Sequence, residues 1–364
     1  MFSNTPGLFF QKPRKRPLRS LWLILAALLG IVACLVGFQA FVPPSPYTPL
    51  SGQNPAQVTL LALGDQGTGN LQQWRVARGM ERVAESVGGL NMVMLLGDNF
   101  YGPDLSGVGD SAWQLKFERV YRGDWLGRVP FYAVLGNHDF DSAAVELEYG
   151  RRGLGSGRWK MPDRYYTQDF GEVDGRPLLR VVFLDSSQDA AGLQRQAQFL
   201  RESFAKPGAA PIWKMVVAHH AIRAGGDRGN NQPLMDLLLP AMQQSAVDIY
   251  LSAHEHNQQV ILHPGEPAWL ISGGGGNELD TTRARAQPPK SPDSHVMLAE
   301  RRHGFARLAF TSGQAQVVYY DADGGQAHPF TWARSCTGMA EGCLQPEEAP
   351  QLARNSASSE SPEQ

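Results

Sequence analysis

The feature that most constrains this chain is a series of short apolar segments, each ending in Gly or Ala followed by a side chain able to bind a metal. The apolar stretch at residues 131–135, for example, leads into a Gly-Asn-His-Asp turn. A small residue allows a sharp turn and leaves room beside the ligands. The pattern occurs five times, at Gly64-Asp65-Gln66-Gly67, Gly97-Asp98-Asn99-Phe100-Tyr101, Gly136-Asn137-His138-Asp139, Ala218-His219-His220 and Ala253-His254-Glu255-His256-Asn257. We interpret the five as one binuclear metal site.

The order of the motifs predicts an α/β fold. Strands are predicted at residues 58–63, 92–96 and 131–135, with helices at 71–87 and 113–121 between them. This rhythm implies a mixed sheet whose ligands collect beyond the carboxyl ends of the strands. Further strands are predicted at 179–184, 214–218, 247–251, 259–262, 269–272, 305–310 and 316–320, and helices at 194–204 and 232–242. Because the last part is mostly strand, we expect two stacked mixed β-sheets flanked by helices.

The N-terminus predicts membrane attachment. Residues 1–20 contain five basic residues, and residues 21–42 contain no charge and are long enough to span a bilayer as a helix. The excess of basic residues before this span predicts that the N-terminus is cytoplasmic and that the rest of the chain lies on the periplasmic or extracellular side. Two alternatives are lipidation at Cys34, because residues 31–34 resemble a lipobox, and a cleaved signal peptide.

The rest of the chain divides by composition. Residues 43–57 are rich in Pro, Ser, Gln and Gly and predict a linker, and residues 58–335 predict the folded domain that carries the five motifs. Residues 336–364 form an extension, predicted to be mostly disordered because it is polar and rich in Ser and Glu from residue 347 onward. Cys336 and Cys343 lie close enough in sequence to pair in an oxidising compartment, or they remain two free thiols.

The charge balance argues against nucleic acid as a partner. The chain has 33 basic and 35 acidic residues, a formal net charge of −2, and no basic stripe. Nucleic-acid binding depends on clustered Lys and Arg. The motifs instead combine carboxylates, a phenol, an amide and imidazoles, without a cysteine. This donor set suits first-row metal ions.

The motifs resemble those of a known family. Gly-Asp-x-Gly, Gly-Asp-x-x-Tyr, Gly-Asn-His-Asp, a strand-end His and a final His-x-His pair are typical of the calcineurin-like metallophosphoesterases, whose fold is an α/β/β/α sandwich. Tyr101 makes the set similar to the purple acid phosphatases. The segment at residues 271–277 resembles the small, tartrate-resistant type. The resemblance covers residues 58–320.

The resemblance implies a ligand for each position of the site. Its first ion would be held by Asp65, Tyr101 and His256, its second by Asn137, His219 and His254, and the two would be bridged by Asp98. The family pairs Fe(III) with a divalent Fe, Zn or Mn. Two carboxylates, a phenolate and a bridging hydroxide carry four negative charges, so ions of +3 and +2 leave the core at about +1, which attracts phosphate.

The resemblance also implies catalytic roles. A hydroxide held at the binuclear centre would attack phosphorus. His138 is the candidate to bind the phosphate and protonate the leaving group, and Asp139 is the candidate to orient its imidazole. Where the family has a second substrate-facing histidine, this chain has Arg228, which could grip phosphate bidentately.

Two further positions depart from the family pattern. Ala253 replaces a glycine, a small change that we expect to be tolerated. At the strand-end motif we choose His219 as the ligand by register, with His220 as the alternative. The sequence therefore predicts a membrane-anchored hydrolase of phosphomonoesters, with phosphorylated small molecules or phosphoproteins as substrates. The alternatives are a phosphodiesterase containing Mn or Zn and, more remotely, a non-catalytic membrane-anchored binding module.

Overall fold

The computed structural model of the protein describes residues 18–41, 44–205, 210–226, 228–280, 294–336 and 340–347. The chain divides into two units, Met1–Val42 and Pro43–Gln364. The first contains the helix α1 (Leu18–Phe41). Within the described ranges, no helix combines the length and the apolar character that crossing a membrane requires. The membrane anchor at residues 21–42 stays a prediction.

The second unit contains all the strands and the remaining helices. The strands are β1 (Val58–Leu63), β2 (Met92–Leu95), β3 (Phe131–Ala133), β4 (Trp159–Lys160), β5 (Tyr166–Val173), β6 (Arg176–Phe183), β7 (Trp213–His220), β8 (Ile249–Ala253), β9 (Gln258–Leu262), β10 (Ala268–Ser272), β11 (His295–Glu300), β12 (Gly304–Phe310), β13 (Gln314–Asp321), β14 (Gln326–Ala333) and β15 (Leu344–Pro346). The helices are α2 (Leu71–Val87), α3 (Ala143–Arg151), α4 (Ala190–Phe204), α5 (Gln232–Gln244) and α6 (Ala340–Cys343), with a π-helical segment at Trp113–Glu118 and 3-10 turns at Leu126–Arg128 and Asn137–Asp139.

The strands form two mixed sheets. The first has the order β15-β14-β13-β12-β1-β2-β3-β4, and its strands β1 to β4 are parallel. The second has the order β11-β9-β10-β8-β7-β6-β5, and β6, β7, β8 and β10 are parallel. Parallel strands place their carboxyl ends at one edge of a sheet, which is where ligands collect in α/β folds. The predicted fold of two stacked mixed sheets flanked by helices is confirmed.

The central strands of the second sheet are buried on both faces. In β7, Met215 and Val217 join the apolar core that also contains the first sheet, whereas Val216 and Ala218 join a core formed with α4 and α5. Successive side chains of a strand point to opposite faces, so a strand covered on both sides reads as a continuous apolar run. This is why the sequence shows uninterrupted apolar segments here.

Polar caps fix where the helices begin. The side chains of Asn70, Asp189 and Asn231 accept hydrogen bonds from backbone N–H groups in the first turns of α2, α4 and α5. Such caps satisfy donors that the helix itself leaves unpaired. Gly88 ends α2 in the left-handed conformation. These local signals explain why α2 matches its predicted bounds.

Some elements differ from the prediction. β5 and β11 were not predicted, and both are edge strands with several exposed residues. Edge strands carry polar side chains and lack a continuous apolar signal. Residues 113–121 are not a regular helix, because π-helical geometry covers only Trp113–Glu118.

The segments before β1 and after β14 both make contacts with the rest of the second unit. Residues 44–57 contain no helix or strand, yet Tyr47 N donates to Ser156 O at 3.0 Å and Leu50 N donates to Arg128 O at 3.3 Å. At the other end, Cys336 and Cys343 form a disulfide, which answers the pairing question that the sequence left open. Beyond it, β15 adds to the first sheet, so this part of the predicted extension is ordered. Residues 337–339 and 348–364 lie outside the described residues.

Candidate metal centre

The predicted ligands meet where the carboxyl ends of the two sheets converge. In the first sheet, Asp65 follows β1, Asp98 and Tyr101 follow β2, and Asn137 follows β3. In the second sheet, His219 lies at the end of β7, and His254 and His256 follow β8. All seven predicted ligands belong to two adjoining clusters.

The first cluster surrounds the phenol of Tyr101. The Tyr101 hydroxyl lies 2.8 Å from Asp98 Oδ2, 3.2 Å from Asp65 Oδ1 and 3.3 Å from His256 Nε2. His256 Nε2 is also 3.5 Å from Asp65 Oδ1. Asp65 and Asp98 are buried, whereas Tyr101 and His256 are partly exposed. This cluster is acidic and opens to one side.

The second cluster surrounds the imidazole of His219. His219 Nε2 lies 3.2 Å from Asn137 Oδ1, 3.2 Å from His254 Nδ1 and 3.4 Å from Asp98 Oδ1. Apart from Asp98, the side chains of this cluster carry no charge when their imidazoles are neutral. Asp98 therefore presents Oδ2 to the first cluster and Oδ1 to the second, which is compatible with a carboxylate that bridges two ions.

Backbone groups orient the histidine rings. His219 Nδ1 lies 2.9 Å from Leu96 O, and His256 Nδ1 lies 2.6 Å from Glu278 O. Each carbonyl oxygen can accept a hydrogen bond from Nδ1–H, and Nε2 of each ring then faces its cluster. This outer support is typical of metal-binding histidines.

Three of the ligands have a strained backbone. Asp65, Asp98 and His254 adopt φ values of 58°, 52° and 68°, in the left-handed region that favours glycine. For other residues this conformation costs about 1–3 kcal/mol and persists only where surrounding contacts enforce it. One such contact is the hydrogen bond from His254 N to Asp65 Oδ2 at 2.9 Å. The backbone strain is therefore concentrated at turns that direct these side chains toward the site.

Close packing around the site explains the small residues of the motifs. A Cβ atom on Gly136 would lie 2.1 Å from Asp98 Oδ1, and one on Gly64 would lie 2.3 Å from the Cβ atom of Ala253. The departure at Ala253 is accommodated because the residue opposite it is glycine. The glycine run at residues 273–276 packs in the same way, since Gly275 N donates to Gly64 O at 3.1 Å.

The electrostatics of the two clusters fit bound cations. Burial and the charges of Asp65 and Asp98 raise the pKa of Tyr101, so its phenol loses its proton only when a cation offsets the carboxylates. Burial opposes protonation of His256, but its hydrogen bond to Asp65 raises its pKa to about 9. In the second cluster, burial and the neighbouring His219 lower the pKa of His254 to about 2. The residues present therefore suit a pair of metal ions.

Asp139 has a different role from the predicted one. Its carboxylate accepts hydrogen bonds from Gly136 N at 2.8 Å, Asn99 N at 2.9 Å and Phe100 N at 3.1 Å. Within the described part of the chain, no hydrogen bond joins Asp139 to the ring of His138. The prediction that Asp139 orients this imidazole has no contact that supports it among these residues, because buried backbone donors occupy the carboxylate. Asp139 instead connects the loops after β2 and β3.

His138 and Arg228 lie at the open side of the centre. His138 is exposed, its backbone N donates to Asp98 Oδ1 at 2.9 Å, and its ring centroid lies 4.7 Å from that of Tyr101. Arg228 Nη2 lies 3.1 Å from Asp280 Oδ2, and the same oxygen accepts a hydrogen bond from His256 N at 3.1 Å. Arg228 is thus near the site but is paired with Asp280.

Sequence reasoning missed several residues that support the site. Asp280 and the carbonyl of Glu278 belong to a segment that carries no motif. Ser186 follows β6 and lies 2.8 Å from His220 Nδ1. Its position after an apolar strand is the signal that would have found it. His220 also lies at the centre, since ring nitrogens of His219, His220 and His254 are within 4.8 Å of one another.

Comparisons with known proteins agree with this arrangement. The family model for calcineurin-like phosphoesterases matches residues 58–258. Purple acid phosphatase 4 of Arabidopsis thaliana is 30% identical over 291 residues, which cover 74% of this chain and 82% of that protein. Human tartrate-resistant acid phosphatase type 5 is 25% identical over 300 residues, which cover 75% of this chain and 90% of that protein.

A solved structure supports the fold. The structure titled "GAP50 the anchor in the inner membrane complex of Plasmodium" matches with a TM-score of 0.66 at 20% identity and covers 81% of this chain and 90% of that one. At this identity the likeness concerns the fold alone. The family match and the similarity to purple acid phosphatases along most of the chain support a closer assignment. The chain belongs to the calcineurin-like phosphoesterases, among the purple acid phosphatases, and is an enzyme that hydrolyses phosphoesters.

Proposed function

We propose that the protein hydrolyses phosphomonoesters at a binuclear Fe(III)–M(II) centre, where M is Fe, Zn or Mn. Asp98 carries this proposal, because its two carboxylate oxygens face two separate donor clusters. The ferric ion is assigned to the first cluster and the divalent ion to the second. The first set is Asp65, Tyr101 and His256, and the second is Asn137, His219 and His254.

The charge of the first cluster supports a ferric ion there. Asp65 and Asp98 are both buried and lie within 3.2 Å of the Tyr101 hydroxyl. Converting this phenol to a phenolate adds a third negative charge to the cluster. A trivalent hard ion stabilises such a set better than a divalent one. The second cluster offers imidazoles and an amide, which suit a divalent ion.

The residues at the open side have separate tasks. When bound, the two ions clamp the phosphoryl group and acidify the attacking water. His138 is exposed beside Tyr101, so its imidazole is placed to bind the phosphate and to give a proton to the leaving alkoxide. The backbone N–H of His138 donates to Asp98 Oδ1. The loop that carries the proposed general acid therefore also positions the proposed bridging carboxylate.

Arg228 contributes positive charge on the side of the second cluster. Its charge lowers the pKa of both His220 and His254, although burial is the larger cause for each. The guanidinium contacts Asp280 through Nε and Nη2, at 3.2 and 3.1 Å. We assign Arg228 to phosphate binding, with Asp280 holding the guanidinium at the edge of the site.

The experiment is to measure metal content, the visible spectrum and hydrolysis together. A soluble chain that begins at about residue 45 is compared with its Tyr101→Phe variant, using 4-nitrophenyl phosphate and bis(4-nitrophenyl) phosphate. We expect one iron and one further metal per chain, a visible tyrosinate band that the variant loses, and faster hydrolysis of the monoester.

Other outcomes would favour the alternatives. Two divalent ions without a visible band, together with faster hydrolysis of the diester, would favour a phosphodiesterase with Mn or Zn. A chain that holds no stoichiometric metal after reconstitution, and that hydrolyses neither ester, would favour a binding module. Asp323→Asn is a matched control for the folded protein, because Asp323 is exposed and pairs with Arg75.

We further propose that residues 21–42 anchor the enzyme to a membrane, with the catalytic unit on the periplasmic or extracellular side. The support is the uncharged apolar run and the basic residues before it. The full chain should remain in the membrane fraction after washing with alkaline carbonate, and a chain lacking residues 1–44 should be released. Recovery of the full chain in the soluble fraction would contradict the anchor.

A further inference from the structure

His219 and His220 both approach the metal centre, although they are adjacent in β7. In a regular strand their side chains would point to opposite faces. The pairing of β7 with β8 shifts register between Val217 and His220, so the end of β7 is irregular. The ring centroid of His220 lies 4.4 Å from that of His254 and 5.0 Å from that of His219. His220 is partly exposed, so solvent and substrate can reach it.

Ser186 is the hydrogen-bond partner of the His220 ring. The backbone N–H of His220 donates to Ser186 Oγ at 3.0 Å, so this oxygen already accepts a hydrogen bond. The same oxygen lies 2.8 Å from His220 Nδ1. A hydroxyl has one proton and two lone pairs, so Ser186 Oγ can donate to Nδ1 while it accepts from the backbone N–H; we assign this direction, which places the ring proton on Nε2. Ser186 is buried, which protects this pair from competing water.

The assigned tautomer distinguishes His220 from the metal ligands. His219 and His256 direct Nδ1 toward backbone carbonyls, so their Nε2 atoms face the proposed metal positions. His220 has the opposite arrangement, in which Nε2–H is a donor. A donor beside a metal ion suits an anion bound to that ion and does not suit the ion itself.

The position of His220 is fixed from two sides. Its carbonyl accepts a hydrogen bond from the Tyr250 hydroxyl at 2.8 Å, while Ser186 holds both its backbone N–H and its ring. The charges that act on it come from His219, Asp98 and Arg228. His220 is thus a pre-oriented donor beside the second cluster, on the side where Arg228 is also assigned to phosphate.

We propose that His220 is a substrate-contacting residue whose Nε2–H donates a hydrogen bond to a phosphoryl oxygen bound beside the second cluster, and that Ser186 positions it. This inference rests on the phosphatase function proposed above. Together with Arg228, His220 would provide donors on the side where this chain lacks the second substrate-facing histidine that its family resemblance implies.

The test is the binding of inorganic phosphate to the metal-loaded enzyme. Calorimetry and metal analysis are carried out on the wild type, His220→Ala, His220→Gln and Ser186→Ala. A hydrogen bond to a charged group contributes about 1.5–3 kcal/mol, so His220→Ala should weaken phosphate binding roughly 10–100-fold. Ser186→Ala should weaken it less, because the ring remains but its tautomer is no longer fixed. His220→Gln retains an N–H donor and should recover part of the affinity.

The control is His328→Ala, which removes a partly exposed histidine that contacts Glu300. It should bind phosphate like the wild type. Unchanged phosphate affinity in both His220 variants would overturn the proposal. Loss of one metal ion in both variants would also overturn it, because His220 would then be a ligand.

The outcomes separate this proposal from the proposed function. A wild type that holds two ions and binds phosphate but does not hydrolyse monoesters contradicts the function, while the His220 comparison remains valid. A wild type that hydrolyses monoesters with the same KM and phosphate affinity as the His220 variants contradicts the His220 proposal alone. A wild type that holds two ions but binds no phosphate overturns both.

Discussion

The two halves of the metal centre share Asp98 but differ in charge and burial. The first half adds a buried carboxylate, Asp65, and a phenol whose pKa is raised by burial and by the carboxylates. The second half adds an exposed amide, Asn137, and the imidazoles of His219 and His254. Similar motifs at the ends of the strands therefore produce two clusters that differ in charge. We expect the acidic half to select the trivalent ion and the neutral half to remain available to substrate.

Removing the shared residue should have the largest effect. Asp98→Asn leaves one fewer negative charge between the halves and a poorer bridge. We expect fewer than two ions per chain and a fall in kcat of roughly 10³-fold or more, because the ions supply several kcal/mol of transition-state stabilisation. Metal analysis and steady-state kinetics check this. Two retained ions with kcat within tenfold of the wild type would show that Asp98 is not the bridge.

Changing the charge of one half at a time tests whether the two halves select different ions. Asp65→Asn removes a charge from the acidic half, and we expect it to lose iron while keeping a divalent ion. Asn137→Asp adds a charge to the neutral half, which takes the core from about +1 to about 0 and should weaken phosphate inhibition by about tenfold, or about 1.4 kcal/mol. Metal analysis and inhibition by inorganic phosphate distinguish the two variants. If both substitutions changed the metal content equally, the two halves would not differ in the ions that they select.

A smaller effect is expected at the edge of the second half. Arg228→Ala removes a cation that we assign to phosphate, so KM should rise about tenfold while kcat changes little. Asp280→Asn should raise KM less, because the guanidinium remains but loses its partner at 3.1 Å. The control is Arg75→Ala, which breaks an exposed ion pair with Asp323. A fall in kcat with unchanged KM would place Arg228 outside phosphate binding.

The smallest expected effect is on the stability of the folded protein, through the buried carboxyl group of Glu146. Glu146 is fully buried, and burial and the nearby Asp139 raise its pKa. The folded state therefore keeps a proton that the unfolded chain releases above its ordinary carboxyl pKa. Stability falls as pH rises from that value to the folded pKa. Glu146→Gln cannot lose this proton, so its Tm should exceed that of the wild type increasingly as pH rises, by on the order of a few degrees.

Melting curves over a series of pH values check this prediction. Glu148→Gln is the matched control, because Glu148 lies in the same helix but is exposed and pairs with Arg152. A Tm difference for Glu146→Gln that does not change with pH would mean that the carboxyl group is ionised in the folded protein.

The candidate ligands were predicted from family motifs that lie at or near the ends of apolar strands, and the structure brings all seven into two adjoining clusters. The bounds of β1 and the positions of Asp65, Asp98 and Asn137 depend on local chain order, which a sequence displays. The role of Asp139 was not predictable in this way. Its neighbour in sequence is His138, but its partners are backbone N–H groups of Asn99 and Phe100, which only the folded loops bring near.

The same reason explains what was missed elsewhere. Ser186 and Asp280 act through contacts with His220 and Arg228 that are far away in sequence. β5 and β11 lie at sheet edges, where exposure replaces the apolar pattern of a buried strand with polar residues. Long-range contacts and solvent exposure are thus the two properties that single-sequence patterns do not contain.

Anomalous X-ray diffraction shows whether the two halves hold different ions, as we propose. Data from crystals of the metal-loaded enzyme are collected on both sides of the iron edge and of the edge of the second metal found by analysis. We predict the iron signal among Asp65, Tyr101 and His256, and the divalent metal or a second iron among Asn137, His219 and His254. A single ion, the same non-iron metal in both halves, or iron confined to the half around His219 would contradict the account.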